Sequence, residues 1–103
     1  MTALPPAQDA AADLMRAADP NVTGNDLLPL AAHRTGTVRA AVASRTDCPV
    51  GALVSLGHDH DVDVLLALLH NPRTPSSVVR HLADHRDTRV SDAAVQRLRN
   101  AFR

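Results

Sequence analysis

Apolar side chains recur along this chain at two nested periods. The short one is helical: Leu27, Leu30 and Ala31, or Val78, Val79, Leu82 and Ala83, fall three and four residues apart instead of alternating as in a strand. The long one is 26 residues, and it links Leu30, Leu56 and Leu82, then Val38, Val64 and Val90, then Leu27, Leu53 and Val79. Ala41, Ala67 and Ala93 follow the same offset, as do Val42, Leu68 and Ala94. A fixed period of this size is the mark of like units stacked on one another.

Polar punctuation keeps the same register. Thr35, Asp61 and Asp87 share a column, and each carries a side-chain oxygen able to accept from the free N–H groups of a starting helix. They are expected to cap the second helix of each unit. Cys48 and Thr74 share another column and are followed by Pro49 and Pro75, residues suited to the first helical position, where no N–H bond is lost. Each unit is therefore a helical hairpin, with first helices expected at 24–33, 49–58 and 75–84 and second helices at 36–45, 62–71 and 88–101. In the earliest copy Thr23 stands in place of Pro, and either Thr23 or Asn25 serves as its cap. Leu14 aligns with Ala40 and Leu66, and Pro20 with Pro72, so residues 6–18 are expected to form an unpaired second helix. The expected architecture is all-α, a solenoid of about three and a half 26-residue repeats over residues 6–103, behind a disordered tail at 1–5.

The strings PLAAHRTGTVRAAVASR, LVSLGHDHDVDVLLALLHNPRTP and RHLADHRDTRVSDAAVQRL resemble the variant leucine-rich repeat of bacteria. That pattern alternates a Leu-Ala pair, a capped turn, a Val-Arg-x-Ala-Val-Ala helix and an Asn-Pro-x-Thr-Pro junction. The resemblance covers residues 23–99 and is closest at TVRAAVAS, 37–44, and NPRTP, 71–75. The second copy departs from it, with Gly57 in place of Ala and Leu65 in place of Arg. The resemblance implies a right-handed superhelix of paired short helices, related to HEAT-type stacks. A cysteine-rich segment that carries an iron–sulfur cluster in one type of member has no counterpart here, so no cofactor is implied.

Composition narrows the function classes. The aromatic fraction is 1%, so burial has to come from many small aliphatic contacts. The single cysteine, Cys48, excludes an internal disulfide and a thiolate metal cluster made by this chain alone. The stretch from Met1 to Ala7 resembles no signal peptide, and no segment approaches the length of a membrane span; a cytoplasmic location is expected. The formal charge is zero, with every base an Arg and every acid an Asp, yet residues 1–72 hold four Arg against eight Asp and residues 73–103 hold seven Arg against three Asp.

Four groups of residues are candidate sites. In VDVLLALLH, at 62–70, Leu65 falls where the flanking copies have Arg39 and Ser91. Leu65 and Leu69, one turn apart, are expected either to form an outward apolar strip for a partner or to lie buried because a central helix is covered on both sides, by the N-terminal segment or Phe102. HDHDVD, at 58–63, has zinc-ligand residue types, but Asp61 is expected to cap and no third ligand is fixed by spacing; His33, Asp59 and His85 share a column, too far apart by layer spacing to hold one ion. No metal is expected. Arg73, Arg80, Arg86, Arg89, Arg97, Arg99 and Arg103 give the C-terminal third a basic character suited to phosphate, opposed by Asp84, Asp87 and Asp92 and by the want of aromatic rings for base stacking. Cys48 is at a helix start, where a thiol's pKa can fall, but no spacing identifies a catalytic partner, and no phosphate loop or nucleophile motif occurs. The expectation is a non-enzymatic protein-interaction module, with another copy of the chain among the possible partners and nucleic-acid binding as the alternative.

Overall fold

The computed structural model describes residues 9–101. The expected tail, any helix before residue 9, and Phe102 and Arg103 lie outside the described residues. Helices α1 (Ala10–Ala18), α2 (Leu28–Ala31), α3 (Gly36–Ala43), α4 (Val50–Leu56), α5 (Val62–His70), α6 (Ser76–Ala83) and α7 (Thr88–Asn100) follow in order, with a 3₁₀ turn at Gly24–Leu27 leading into α2. The described residues contain no strand, and none of their helices is long and apolar enough to cross a membrane.

Local chemistry sets these boundaries. Asp9 starts α1 by accepting from the N–H groups of Ala11 and Ala12 at 3.1 and 3.2 Å. Asp61 and Asp87 start α5 and α7 by accepting from the N–H groups of Asp63 and Arg89, both at 2.9 Å. Thr35 holds the same N-cap position before α3, but its hydroxyl makes no capping bond, which corrects that part of the expectation. Pro49 and Pro75 are at the N-cap of α4 and α6, one residue earlier than expected. The first helix of the earliest copy is broken into a 3₁₀ turn and a short α-helix. Pro29 lies in it and has no N–H with which to close an α-turn.

The helices form two rows. One holds α1, α3, α5 and α7, each packed on the next; the other holds α2, α4 and α6, with each hairpin closed by contacts of α2 with α3, α4 with α5 and α6 with α7. The core runs between the rows. Leu30, Leu56 and Leu82 are buried in it, with Val38, Val64 and Val90, with Leu27, Leu53 and Val79, and with Val42, Leu68 and Ala94. Each buried aliphatic side chain of this size contributes about 1.5–3 kcal/mol. The fifth expected column is only partly buried: Ala41, Ala67 and Ala93 pack against the core from its edge. The body measures 59 × 28 × 19 Å with a radius of gyration of 14.7 Å, larger than the roughly 13 Å of a compact chain of this length.

Candidate functional site

Of the two expectations for Leu65 and Leu69, burial is the one the structure shows, and there is no outward strip. Leu65 is 0% exposed and Leu69 6%, so neither is available to a partner, and the reading of Leu65 and Leu69 as contact residues is corrected. Leu69 belongs to an apolar column that the sequence does contain: Ala17, Ala43, Leu69 and Val95, of which the first three are buried and Val95 is 36% exposed. Leu65 is buried for a different reason. Its column, Asp13, Arg39, Leu65 and Ser91, faces the seam between one hairpin and the next, and in two copies that seam is filled by a polar pair, hydrogen-bonded in one and ionic in the other. Asp13 Oδ2 accepts from His33 Nε2 at 2.9 Å. Arg39 Nε and Nη2 donate to Asp59 at 2.7 and 3.2 Å, and Arg39 Nη1 donates to the His33 carbonyl at 2.7 Å. The same 20-residue step relates Leu65 to His85, so a branched aliphatic occupies the seam where polar pairs do so elsewhere.

Arg39 is thus a structural residue, not an exposed contact. Its hydrogen bond to Asp59 holds the guanidinium's pKa above its ordinary value. Ser91 donates to the Thr88 carbonyl at 3.4 Å within its own helix. The column of His33, Asp59 and His85 plays the same part in all three copies: its ring or carboxylate accepts from the N–H of residue 35, 61 or 87 at 3.0, 2.8 and 3.0 Å. Each holds the turn that leads into a second helix.

A second ladder occupies the opposite ends of these helices. A helix leaves its last carbonyls without intrahelical donors, and here the following unit supplies them. Arg45 Nη1 donates to the carbonyls of Ala17 and Asp19 at 3.0 and 2.8 Å. Asn71 Nδ2 donates to Ala43 and Arg45, both at 2.8 Å. Arg97 Nη1 donates to Leu69 and Asn71 at 3.0 and 2.6 Å, and more weakly to Leu68 at 3.3 Å, while its Nη2 reaches Pro72 and Thr74 at 3.4 and 3.0 Å. The chemistry of the NPRTP segment follows. Asn71 is the staple, Thr74 Oγ1 donates to the Leu68 carbonyl at 2.7 Å, and Pro75 opens α6.

Arg97 therefore has both terminal nitrogens committed to backbone, and burial lowers its pKa from the usual value. It does not serve as a phosphate contact. Arg89 is paired with Asp87 at 3.0 Å. Arg80 lies on the exposed side of α6. Arg73 precedes α6 and Arg86 follows it, which places them at opposite ends of a helix about 12 Å long. Arg99 lies near the end of α7 and Arg89 at its start. The arginines of the C-terminal third are spread over both ends of the last hairpin instead of lining one track.

Cys48 is buried beside the start of α4, and its thiol's pKa is raised, first by burial and then by the nearby Asp47 carboxylate. That is the reverse of an activated nucleophile. Asp59 and Asp61 of the HDHDVD stretch are occupied by Arg39 and by the α5 cap. Among the described residues no three His, Cys or Asp side chains are grouped to hold a metal ion.

Recessed surface with apolar lining occurs twice on the row of first helices. Between α2 and α4 a groove of about 260 Å³ is lined by Leu28, Ala31, Ala32, Ala52, Ser55, Leu56 and Asp59. Between α4 and α6 a second groove, also about 260 Å³, is lined by Val54, Gly57, His58, Ser77, Val78 and His81. The two are one feature repeated at the 26-residue step: Leu28 becomes Val54, Ala31 becomes Gly57, Ala32 becomes His58, Ala52 becomes Val78 and Ser55 becomes His81. Leu28, Val50 and Val54 are 41, 50 and 42% exposed along this row. Sequence reasoning passed over these positions because they are not core columns. The available signal was a small residue, Ala31, Gly57 or Ala83, where consecutive first helices meet.

Residues 36–61 match the family model described as Leucine rich repeat variant. That helical-repeat match bears out the resemblance noted in the sequence, over the stretch from the start of α3 to the cap of α5. No curated protein and no solved structure matches the chain.

Proposed function

We propose that this chain, with its leucine-rich repeat variant segment, is a non-enzymatic protein-interaction module that binds a partner protein on the row formed by α2, α4 and α6. The observation that carries this reading is the pair of equivalent grooves, each bordered by an exposed aliphatic side chain, Leu28 or Val54. Recessed apolar surface that the fold does not cover is characteristic of recognition sites. The polar side chains of the interior favour scaffolding over chemistry. His33, Arg39, Arg45, Asn71 and Arg97 are bonded between units, and the Cys48 thiol is held protonated by burial.

The same offset bonds support a count of about three and a half 26-residue repeats. We take the stack to be a right-handed superhelix, as the family resemblance implies. A cytoplasmic setting fits a lone buried thiol.

The test is a comparison of captured proteins from the native cell extract, using the natural chain and a Leu28→Asp, Val54→Asp double variant. Both sites are exposed, so the variant is expected to keep the parent's circular dichroism and melting behaviour within about 1 kcal/mol of stability. Partners retained by the natural chain and lost by the folded variant support the reading. The same partners retained by both would overturn it.

A further inference from the structure

We propose that the bound partner segment presents an aliphatic side chain to the α2/α4 groove and a carboxylate to the α4/α6 groove, an inference that rests on the docking role of this row. The two grooves share a shape and differ in polarity. In the first, the positions occupied by Ala32 and Ser55 leave a mostly aliphatic lining beside Leu28 and Leu56. Its one carboxylate, Asp59, is already bonded to Arg39. In the second, the equivalent positions hold His58 and His81, whose rings are in tilted contact, with centroids 5.1 Å apart and planes at 55° to each other. Each imidazole has an N–H to offer, and no carboxylate lines the groove.

The rim column is aliphatic at both grooves, Leu28 at the first and Val54 at the second. A carboxylate seated at the edges of the His58 and His81 rings would accept from imidazole N–H groups, the charge-assisted arrangement that gives the stronger hydrogen bonds. The aliphatic floor of Val54, Gly57 and Val78 would lie beneath its methylene. A volume of about 260 Å³ in each groove admits a side chain and not a whole helix, whose diameter is about 10 Å. The partner therefore inserts individual side chains. Helices packed side by side lie about 8–10 Å apart, the distance that an extended segment covers in about three residues. The recognised pattern is an aliphatic residue and, three positions away, Asp or Glu, with the acid directed toward α6.

The experiment is selection from a display library of random linear peptides on the natural chain, followed by fluorescence polarisation with the enriched peptides. Enriched peptides should carry the aliphatic and acidic pair. Replacing the acid by its amide should weaken binding roughly tenfold on the natural chain, the scale of one charge-assisted hydrogen bond, and much less on a His58→Ala, His81→Ala variant. A His58→Asp, His81→Asp variant should instead select Lys or Arg at that position. If peptides enrich without an acid yet lose binding to the Leu28→Asp, Val54→Asp variant, the docking row stands and this inference falls. If no peptide enriches, or if enriched peptides bind that variant as well as they bind the natural chain, both fall.

Discussion

Arg97 is placed where five carbonyl oxygens of the preceding unit converge, and it donates to all of them with two nitrogens. Its neighbour Arg99 is exposed on the same helix and has no such role. The two arginines therefore separate structural from superficial charge. Arg97→Ala removes the donors from the end of α5 and is expected to cost about 2–4 kcal/mol, because bonds to charged donors contribute more than neutral ones and several carbonyls lose their partner together. Arg99→Ala should change stability by about 0.5 kcal/mol or less. Urea denaturation of both variants checks this; equal losses would mean that Arg97 is not a staple. Nothing at the level of composition distinguishes the two, since both read as basic residues near a helix C-terminus. Arg97 complements the terminus of α5, the helix of the preceding unit, and only the offset shared with Arg45 and Asn71 identifies it.

At the scale of the element, the approach of α6 to α4 depends on a missing side chain. A Cβ on Gly57 would lie 2.9 Å from Val78 Cγ1, closer than packed atoms tolerate, and 3.1 Å from the Val54 carbonyl oxygen of its own turn. The equivalent positions hold Ala31 and Ala83, so the family pattern alone would favour alanine here as an improvement. The local packing opposes it. Gly57→Ala is expected to destabilise by about 1–3 kcal/mol through overpacking, despite the better helix propensity of alanine, and Val78→Ala in the same chain should recover part of that loss. Thermal melts of the single and double variants decide it. Coupling near zero between the two sites would show that the helices shift apart freely. Helix starts were easier to read than this contact. Asp61 and Asp87 cap as their residue type dictates, whereas Pro29 breaks its helix by lacking one N–H.

For the whole molecule, the consequence is locality. Every pair of helices in substantial contact is adjacent or next-but-one in chain order, and the body is more than twice as long as it is wide. Such a stack holds together through nearest-neighbour interfaces. Removing a staple should therefore loosen its own interface first. In Arg97→Ala, native-state hydrogen exchange should show reduced protection in α5, α6 and α7 while the amides of α3 keep theirs. A uniform loss along the chain would contradict this picture and indicate one cooperative block.

The sequence by itself determined the helices, their alternation and the aliphatic seam, because helical periodicity and caps are local properties and a 26-residue repeat places equivalent residues in equivalent surroundings. It also held the evidence for Leu69, whose whole column is apolar. Leu65 was different: its column is acidic, basic, aliphatic and hydroxylic in turn, and nothing in residue type says that such a position is interior. Only the packed hairpins decided that, because the seam accepts either an ion pair or an aliphatic chain and both fill it. The grooves of the first-helix row were likewise a product of tertiary structure, since a cleft is the space left between two helices and no single residue encodes it.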